Sequence, residues 1–214
     1  TISEQLRRSN MSEAQNDNVT EIEFQNLRAL VEKQRSSFRA EGEVAYATRI
    51  ERLKRLKALI VENKSEFALT TKREFNDARS YEFSLFSEFA SKVEAIDYSM
   101  KHLKEWMKPE RRKTNKPMNL LGGRGQDRYF PKGVVGIISP WNLPFGLTVA
   151  PLTSALAAGN RALLKPSEYV PETAALFADV IPRYFSAEEV AVVTGDAETS
   201  QLFAELPFDH LLFT

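Results

Sequence analysis

Three groups of polar and flexible residues follow short apolar segments of the sequence, and their order suits the binding of a nucleotide. Residues 139–142 (S-P-W-N) follow the first segment, residues 165–168 (K-P-S-E) the second, and residues 195–196 (G-D) the third. In a doubly wound nucleotide-binding fold, an acidic residue after the second strand accepts hydrogen bonds from ribose hydroxyls, and Glu168 has that place. Lys165 adds a charge for ribose or phosphate oxygens, and the glycine of the third group permits the close approach of an adenine ring.

Asn142 is the residue whose type and place suit a step of chemistry. The first group lacks the G-x-G-x-x-G fingerprint, and Trp141-Asn142 stands where the close approach of a pyrophosphate requires glycine. Either the cofactor lies differently here, or this turn addresses the substrate. Pro140 and Pro144 brace the turn, which suits a fixed amide donor that stabilises an oxyanion. A residue that only caps the following helix is the structural alternative.

Alternating strands and helices are expected to position these groups. Residues 134–139 are a continuous apolar run rich in β-branched residues, as in a strand buried on both faces. Helices and strands are then predicted in alternation, over 145–158, 161–165, 172–184, 190–194, 197–205 and 210–214. This order predicts the α/β class, with a Rossmann-like, doubly wound parallel sheet and helices on both faces. The pattern stops on a strand, so we expect the sheet to be incomplete and the natural polypeptide to continue past Thr214.

The sequence before this region divides into a polar segment, a helical part and a connector. Residues 1–20 have little apolar surface and are predicted to be flexible. Residues 21–107 contain three helical patterns with a break at Glu41-Gly42 and are predicted to be the helical part of the cofactor domain. Residues 133–214 are predicted to be the first half of its Rossmann-like part, with the catalytic domain absent. The apolar stripe of the third helix consists of Phe86, Phe89, Val93, Ile96, Met100 and Leu103. Residues 108–132, rich in glycine, proline and basic residues, are predicted to be a connector with a turn between extended segments.

The composition excludes several classes of function. Lys and Arg together number 29, as do Asp and Glu, so no basic excess indicates a nucleic acid or an anionic membrane as partner. No apolar run is long enough for a membrane span and no apolar signal core is present, so we expect a cytoplasmic protein. The absence of cysteine excludes disulfides and a thiol nucleophile within the sequence. His102 and His210 are not accompanied by other residues in a metal-ligand pattern, so no metal site is predicted.

Four motifs in this region resemble, in the right order, the signatures of the aldehyde dehydrogenases. They are S-P-W-N-x-P at 139–144, A-A-G-N at 157–160, L-K-P-S-E at 164–168 and L-F-T at 212–214. The resemblance is firm over 130–214 and loose over the preceding helical part. The runs F-P-K-G-V-V-G-I-I-S-P-W-N and F-D-H-L-L-F-T are most similar to the class 3 and coniferyl aldehyde dehydrogenases.

The resemblance implies a role for each candidate residue. Asn142 would donate its side-chain amide to the oxyanion of the thiohemiacetal. Lys165 and Glu168 would hold the adenosine ribose, with Ser167 nearby. The cofactor cleft would be lined by Ile138, Ser139, Pro140 and Trp141, and the adenine and pyrophosphate region would be bordered by Gly195 and Phe213.

The activity implied by the resemblance is the oxidation of an aldehyde to the carboxylic acid with NAD or NADP. The aldehyde would be hydrophobic or aromatic, similar to coniferyl aldehyde, and the enzyme a homodimer formed partly through residues 117–131. The cysteine nucleophile and the glutamate base would lie past Thr214, so these residues alone are expected to be inactive. Glu168 would crowd a 2′-phosphate whereas Lys165 would attract one, which leaves the cofactor open. The alternative is a catalytically dead nucleotide-binding or assembly module, complete at 214 residues.

Overall fold

The computed structural model describes residues 2–214, including the side chains of 21–117 and 120–214. The helices, in chain order, are α1 (Ile2–Glu41), α2 (Tyr46–Glu74), α3 (Tyr81–Ser84), α4 (Ser91–Trp106), α5 (Lys116–Leu120), α6 (Gly146–Ala158), α7 (Pro171–Val180) and α8 (Ala197–Glu205). The strands are β1 (Glu110–Arg112), β2 (Gly125–Asp127), β3 (Val134–Ile138), β4 (Arg161–Lys165), β5 (Val190–Val192) and β6 (His210–Phe213). A π-helical turn, Leu85–Ala90, joins α3 to α4, and a 3-10 turn, Ile181–Arg183, follows α7.

Strands β3 to β6 form one parallel sheet in the order β5-β4-β3-β6. Successive side chains of these strands point to opposite faces. Val134 and Leu163 belong to a core formed with α1 and α8, whereas Val135 and Leu164 belong to a larger core formed with α2, α4, α6 and α7. Helices therefore cover both faces, and the predicted α/β class with a parallel sheet is confirmed.

Three phenylalanine rings attach the start of α6 to its neighbours. The ring centroid of Phe67, on α2, lies 4.7 Å from the centroids of both Phe145 and Phe177. Phe145 directly precedes α6 and Phe177 lies on α7, and the three side chains are fully buried. Because buried aromatic pairs add directional contacts to their apolar area, this cluster fixes the turn between β3 and α6.

The predicted boundaries at glycine residues agree with the structure. Helix α1 ends at Glu41, before Gly42, as the sequence predicts. Helix α6 ends at Ala158, and the next residue, Gly159, has the left-handed φ of +89° that glycine adopts without a steric cost. A side chain at Gly159 would also meet the Arg49 guanidinium at 3.0 Å.

Helix α1 begins at Ile2, whereas the sequence predicts a flexible segment through residue 20. Polar residues such as those of this segment are compatible with a helix when their backbone groups bond to one another. Thr1 and the side chains of residues 2–20 lie outside the described residues. The flexibility of residues 1–20 therefore stays a prediction.

The π-helical turn changes which residues of the third predicted helix are buried. The sequence predicts Phe86 on the buried stripe with Phe89, but the Phe86 side chain is 79% exposed. Its neighbour Leu85 packs against the core instead. A π turn contains more residues than an α turn and so shifts the phase of the helix. The placement of Phe86 is thus wrong, and the same shift turns Glu88 into the interior, where it is fully buried.

Residues 108–132 contain a small antiparallel hairpin rather than only irregular chain. Strands β1 and β2 pair with Glu110 opposite Asp127, and the short helix α5 lies between them. Gly122 forms a turn with a φ of +79° in the segment between these strands. The expected turn between extended segments is therefore present, together with a short helix that the sequence analysis did not predict. None of the helices in the described part of the chain has the length and apolar surface that a bilayer crossing requires.

Candidate cofactor and oxyanion site

The sheet order places the three polar groups at one rim. Strands β3, β4 and β5 are adjacent and parallel, so the turns that follow them emerge at the same edge. Backbone hydrogen bonds continue past the strands, from Ser139 N to Lys165 O at 3.1 Å and from Val193 N to Leu164 O at 2.8 Å. Ile138 and Phe213 end β3 and β6 opposite each other at this rim. The Phe213 side chain is exposed, and that of Ile138 is half-buried.

A groove of about 700 Å³ lies at the rim between α7 and the turn after β5. Its walls are small or acidic residues, namely Glu168, Pro171, Ala174, Ala175, Ala178, Asp179, Thr194, Gly195 and Asp196. The alanine methyl groups make one wall flat and apolar, which suits a planar ring. Glu168, half-buried, supplies acceptor oxygens for hydroxyl groups.

Gly195 brings main chain to this groove without a side chain. Its φ is +150°, and a Cβ atom would lie 2.3 Å from Thr199 Oγ1 in the first turn of α8. The next residue, Asp196, caps α8 and accepts a hydrogen bond from Thr199 N at 3.1 Å. This hydrogen bond holds the pKa of the Asp196 carboxyl below its ordinary value. The cap and the glycine together fix the edge of the groove.

The buried Lys165 side chain links the second polar group, residues 165–168, to the third, residues 195–196. Its side chain is almost fully buried, and Nζ donates to the carbonyl oxygens of Pro166 at 3.0 Å and Gly195 at 3.1 Å. Burial lowers the pKa of the Lys165 ammonium, while the carboxylates of Glu168 and Asp196 act in the opposite direction. An ammonium group has three N–H donors, so one donor remains for a ligand.

Two serines of the predicted site contact the protein rather than an open cleft. Ser139 is buried, and its Oγ lies 2.6 Å from Thr148 Oγ1 on α6. Since Thr148 Oγ1 donates to Pro144 O at 2.7 Å, the Ser139 hydroxyl is the donor of this pair. Ser167 is also buried, and its Oγ accepts from Tyr169 N at 3.2 Å. Both hydroxyl groups therefore brace turns at the rim.

Trp141 and Asn142 are exposed on the turn between β3 and α6, and Pro140 before them is half-buried. The Trp141 ring stacks on Phe75 with the centroids 6.3 Å apart and the planes at 28°. The main-chain carbonyl of Asn142 accepts from Arg79 Nη2 at 2.5 Å. The start of α6 follows this turn, and the positive end of the helix dipole favours negative charge nearby. An amide on this turn can therefore act as a donor to an anionic oxygen.

Glu88 and Arg79 are functional candidates that the sequence analysis missed. Glu88 accepts hydrogen bonds from Phe145 N at 2.9 Å and Gly146 N at 3.0 Å, and Arg79 Nη1 lies 3.1 Å from its other oxygen. Burial raises the pKa of the Glu88 carboxyl above its ordinary value, and these three donors act in the opposite direction. One signal in the sequence was an acidic residue beside the apolar stripe of the third helix, but the π turn that buries it has no sequence signature.

The two histidines lie outside this rim. His102 stacks between Tyr98 and Trp106 on α4, and His210 Nδ1 lies 3.2 Å from Lys132 Nζ. Among the side chains that the structure describes, no group of three or more His, Asp or Glu residues could hold a metal ion.

Comparisons with known proteins agree in their family. Residues 7–214 match the model of the Aldehyde dehydrogenase family. A coniferyl aldehyde dehydrogenase of Pseudomonas sp. is 39% identical over 197 residues, which cover 92% of this chain and 40% of that protein. The dimeric NADP-preferring aldehyde dehydrogenase of Canis lupus familiaris is 33% identical over 192 residues, covering 86% of this chain and 40% of that protein.

A solved structure has the same fold. It is a mutant of the indole-3-acetaldehyde dehydrogenase of P. syringae in complex with NAD+ and IAA, with a TM-score of 0.74 and 26% identity. The match covers 89% of this chain and 38% of that one. The chain thus spans about 40% of the length of the curated relatives it matches.

Proposed function

Because the chain belongs to the aldehyde dehydrogenase family, we propose that it is the cofactor-binding portion of an enzyme that oxidises an aldehyde to the carboxylic acid. The observation that carries the proposal is the shared rim, on which a groove beside Glu168 and an amide donor at Asn142 follow neighbouring strands. Such a rim is where doubly wound sheets bind nucleotides. NAD or NADP is the proposed cofactor.

The groove fits the adenosine part of a dinucleotide. Ala175 and Ala178 offer a flat wall for the base, and Gly195 leaves the opposite edge without a side chain. Glu168 would accept hydrogen bonds from the ribose hydroxyls, and the remaining donor of Lys165 would reach a ribose oxygen. When bound, the cofactor supplies the acceptor for the hydride of the aldehyde. The Glu168 charge opposes a 2′-phosphate and the Lys165 charge attracts one, so both NAD and NADP are kept as the proposed cofactor.

Asn142 is the proposed oxyanion donor. Attack of a thiolate on the aldehyde carbonyl places negative charge on the carbonyl oxygen, and a fixed amide donor stabilises that charge. The first turn of α6 adds the positive end of its dipole to the same region. No cysteine is among the 214 residues, so we assign the nucleophile and the general base to the remaining length of the enzyme.

The proposed substrate is a hydrophobic or aromatic aldehyde. The exposed Trp141 ring lies beside Asn142 and stacks on the half-buried Phe75 ring, which gives an aromatic surface next to the proposed oxyanion donor. The relative from Pseudomonas is named for coniferyl aldehyde, which has an aromatic ring. We also propose a homodimer, because the relative from Canis lupus familiaris is described as dimeric. The cytoplasmic location expected from the sequence stays a proposal.

Filling the groove tests the cofactor site. Ala175→Phe places a ring against the apolar wall, and we expect the affinity for NAD and NADP to fall by more than about tenfold because the base is excluded. Calorimetric titration of the full-length natural protein measures this affinity. Ala204→Phe, an exposed alanine on α8, is the matched control and should bind as the wild type does. Equal affinity in the wild type and Ala175→Phe would place the nucleotide elsewhere.

A further inference from the structure

Arg79 contacts the turn that carries Asn142 and also the Glu88 carboxylate, which accepts hydrogen bonds where this turn meets α6. Its Nη2 donates to the main-chain oxygen of Asn142 at 2.5 Å, and its Nη1 lies 3.1 Å from Glu88 Oε1. The guanidinium also lies over the Phe75 ring, 4.1 Å from the centroid. Because its side chain is only 15% exposed, these three contacts leave Arg79 little freedom.

Glu88 binds the same turn through its second oxygen. Glu88 Oε2 accepts from the N–H groups of Phe145 and Gly146, at 2.9 and 3.0 Å. Arg79 and Glu88 therefore hold the main chain at Asn142 and again after residues 143–144. The Asn142 side chain remains exposed, while its backbone is fixed from within the protein. A donor to a developing oxyanion has its full effect only when it is in place before the charge appears.

Two irregular backbone features bring Arg79 and Glu88 to this turn. Asn76 and Asp77 have φ values of +48° and +61°, and hydrogen bonds from Asp77 N to Lys72 O and from Asn76 N to Arg73 O end α2 just before Arg79. Left-handed conformations are unfavourable for residues other than glycine. Glu88 lies in the π turn, a feature that is frequent at functional sites.

The charge of this pair also suits the neighbouring chemistry. A lone buried carboxylate at the start of α6 would oppose negative charge on a substrate oxygen, and the Arg79 guanidinium neutralises it. A buried ion pair contributes little to stability compared with apolar residues of similar volume. Stability alone is therefore a weak reason for this pair at this place.

We propose that Arg79 and Glu88 are positioning residues that hold Asn142 in place for the oxyanion, an inference that rests on the proposed function. Neither residue contacts the substrate in this account. Both act through the main chain of the turn between β3 and α6, and Arg79 additionally supports Trp141 through the Phe75 ring.

The test is a double-mutant cycle of Arg79→Met and Asn142→Ala in the full-length natural enzyme, with kcat measured on an aromatic aldehyde. Arg79→Met alone should lower kcat by about tenfold or more, because a displaced donor loses much of its effect. In the Asn142→Ala background it should change kcat by less than about twofold, because the positioned donor is gone. The Kd of the cofactor should change far less than kcat in each variant, since the groove proposed for the adenosine part is lined by residues of the other turns and of α7.

Equal losses of kcat in both backgrounds would overturn the inference, because Arg79 would then act on the whole enzyme rather than through Asn142. A wild-type kcat in Asn142→Ala would instead contradict the proposed function. Arg39→Met, an exposed arginine on α1, is the control and should leave kcat unchanged. If Arg79→Met does not fold, Glu88→Gln enters the same cycle with the same two outcomes. Arg79→Lys should restore part of kcat.

Discussion

Two features of Gly195 favour glycine, namely its positive φ and the lack of space for a Cβ atom, and an experiment can separate them. Its φ of +150° is rare for residues with a side chain, and a Cβ atom would overlap with Thr199. Gly42 has a positive φ of +68°, but a Cβ atom added there would have no neighbour within 4 Å, so it has the first feature without the second. The comparison of the two positions therefore isolates the effect of the overlap with Thr199 at the edge of the groove.

Replacement of Gly195 by alanine should therefore lower the free energy of unfolding more than replacement of Gly42 by alanine does. We expect Gly42→Ala to lower the free energy of unfolding by about 1 kcal/mol through backbone strain. Gly195→Ala adds about 1–3 kcal/mol for the overlap with α8 and also weakens nucleotide binding. Urea unfolding and calorimetric titration measure the two effects. Equal destabilisation by both substitutions, with normal binding, would show that nucleotide binding does not depend on the missing side chain at Gly195.

At the scale of elements, the hydroxyl pair between β3 and α6 determines how the functional turn begins. Ser139 Oγ donates to Thr148 Oγ1, and both groups are buried. Thr148 is shielded from water, so the loss of its oxygen would leave the Ser139 donor without a partner. Because Ser139 directly follows β3 and Thr148 lies on α6, this bond links the two elements around residues 140–147.

Removal of one hydroxyl of the Ser139–Thr148 pair should lower the free energy of unfolding more than removal of both hydroxyls. We expect Thr148→Val to lower the free energy of unfolding by about 1–3 kcal/mol because the buried Ser139 hydroxyl is left unsatisfied. The double variant Ser139→Ala/Thr148→Val should regain part of this loss. Urea unfolding of the wild type, Thr148→Val and the double variant measures these free energies. A double variant that is less stable than Thr148→Val would contradict the claim that the Ser139 hydroxyl depends on Thr148 Oγ1 for its hydrogen bond.

The strands and helices of the sheet region could be predicted because each carries its own pattern. Residues 161–165 were predicted as a strand and form β4 with the same bounds, and residues 197–205 likewise form α8. Glycine at 159 and proline at 171 marked a helix end and a helix start directly. The parallel direction of the strands followed from the alternation of strands and helices alone. For this reason the shared rim could be predicted without coordinates.

The contacts behind the rim could not be predicted in the same way. Arg79 and Glu88 reach the turn through the end of α2 and a π turn, and both depend on tertiary packing rather than on a local pattern. Period-based prediction assumes an unbroken α-helix, so it placed Phe86 inside. The burial of Ser139 and Lys165 also depends on partners far along the chain, such as Gly195 O. A single sequence carries no direct signal for such pairs.

At the scale of the whole molecule, the described residues form a layered unit whose rim gathers the candidate groups. Helices cover both faces of the sheet, and β5 and β6 are the outer strands of its described part. The chain spans about 40% of the length of the curated relatives it matches. The groove and the Asn142 turn are the parts of the reaction that these residues supply in our proposal.

The most direct test of this account is the steady-state formation of NADH or NADPH from an aromatic aldehyde by the full-length enzyme and its Asn142→Ala variant. We expect kcat to fall by about 10²–10³-fold in Asn142→Ala because one oxyanion donor is lost, with the cofactor Kd unchanged. Asn115→Ala, an exposed asparagine in the connector, should retain the wild-type kcat. Absence of reduced cofactor with the wild-type enzyme, or an unchanged kcat in Asn142→Ala, would contradict the account.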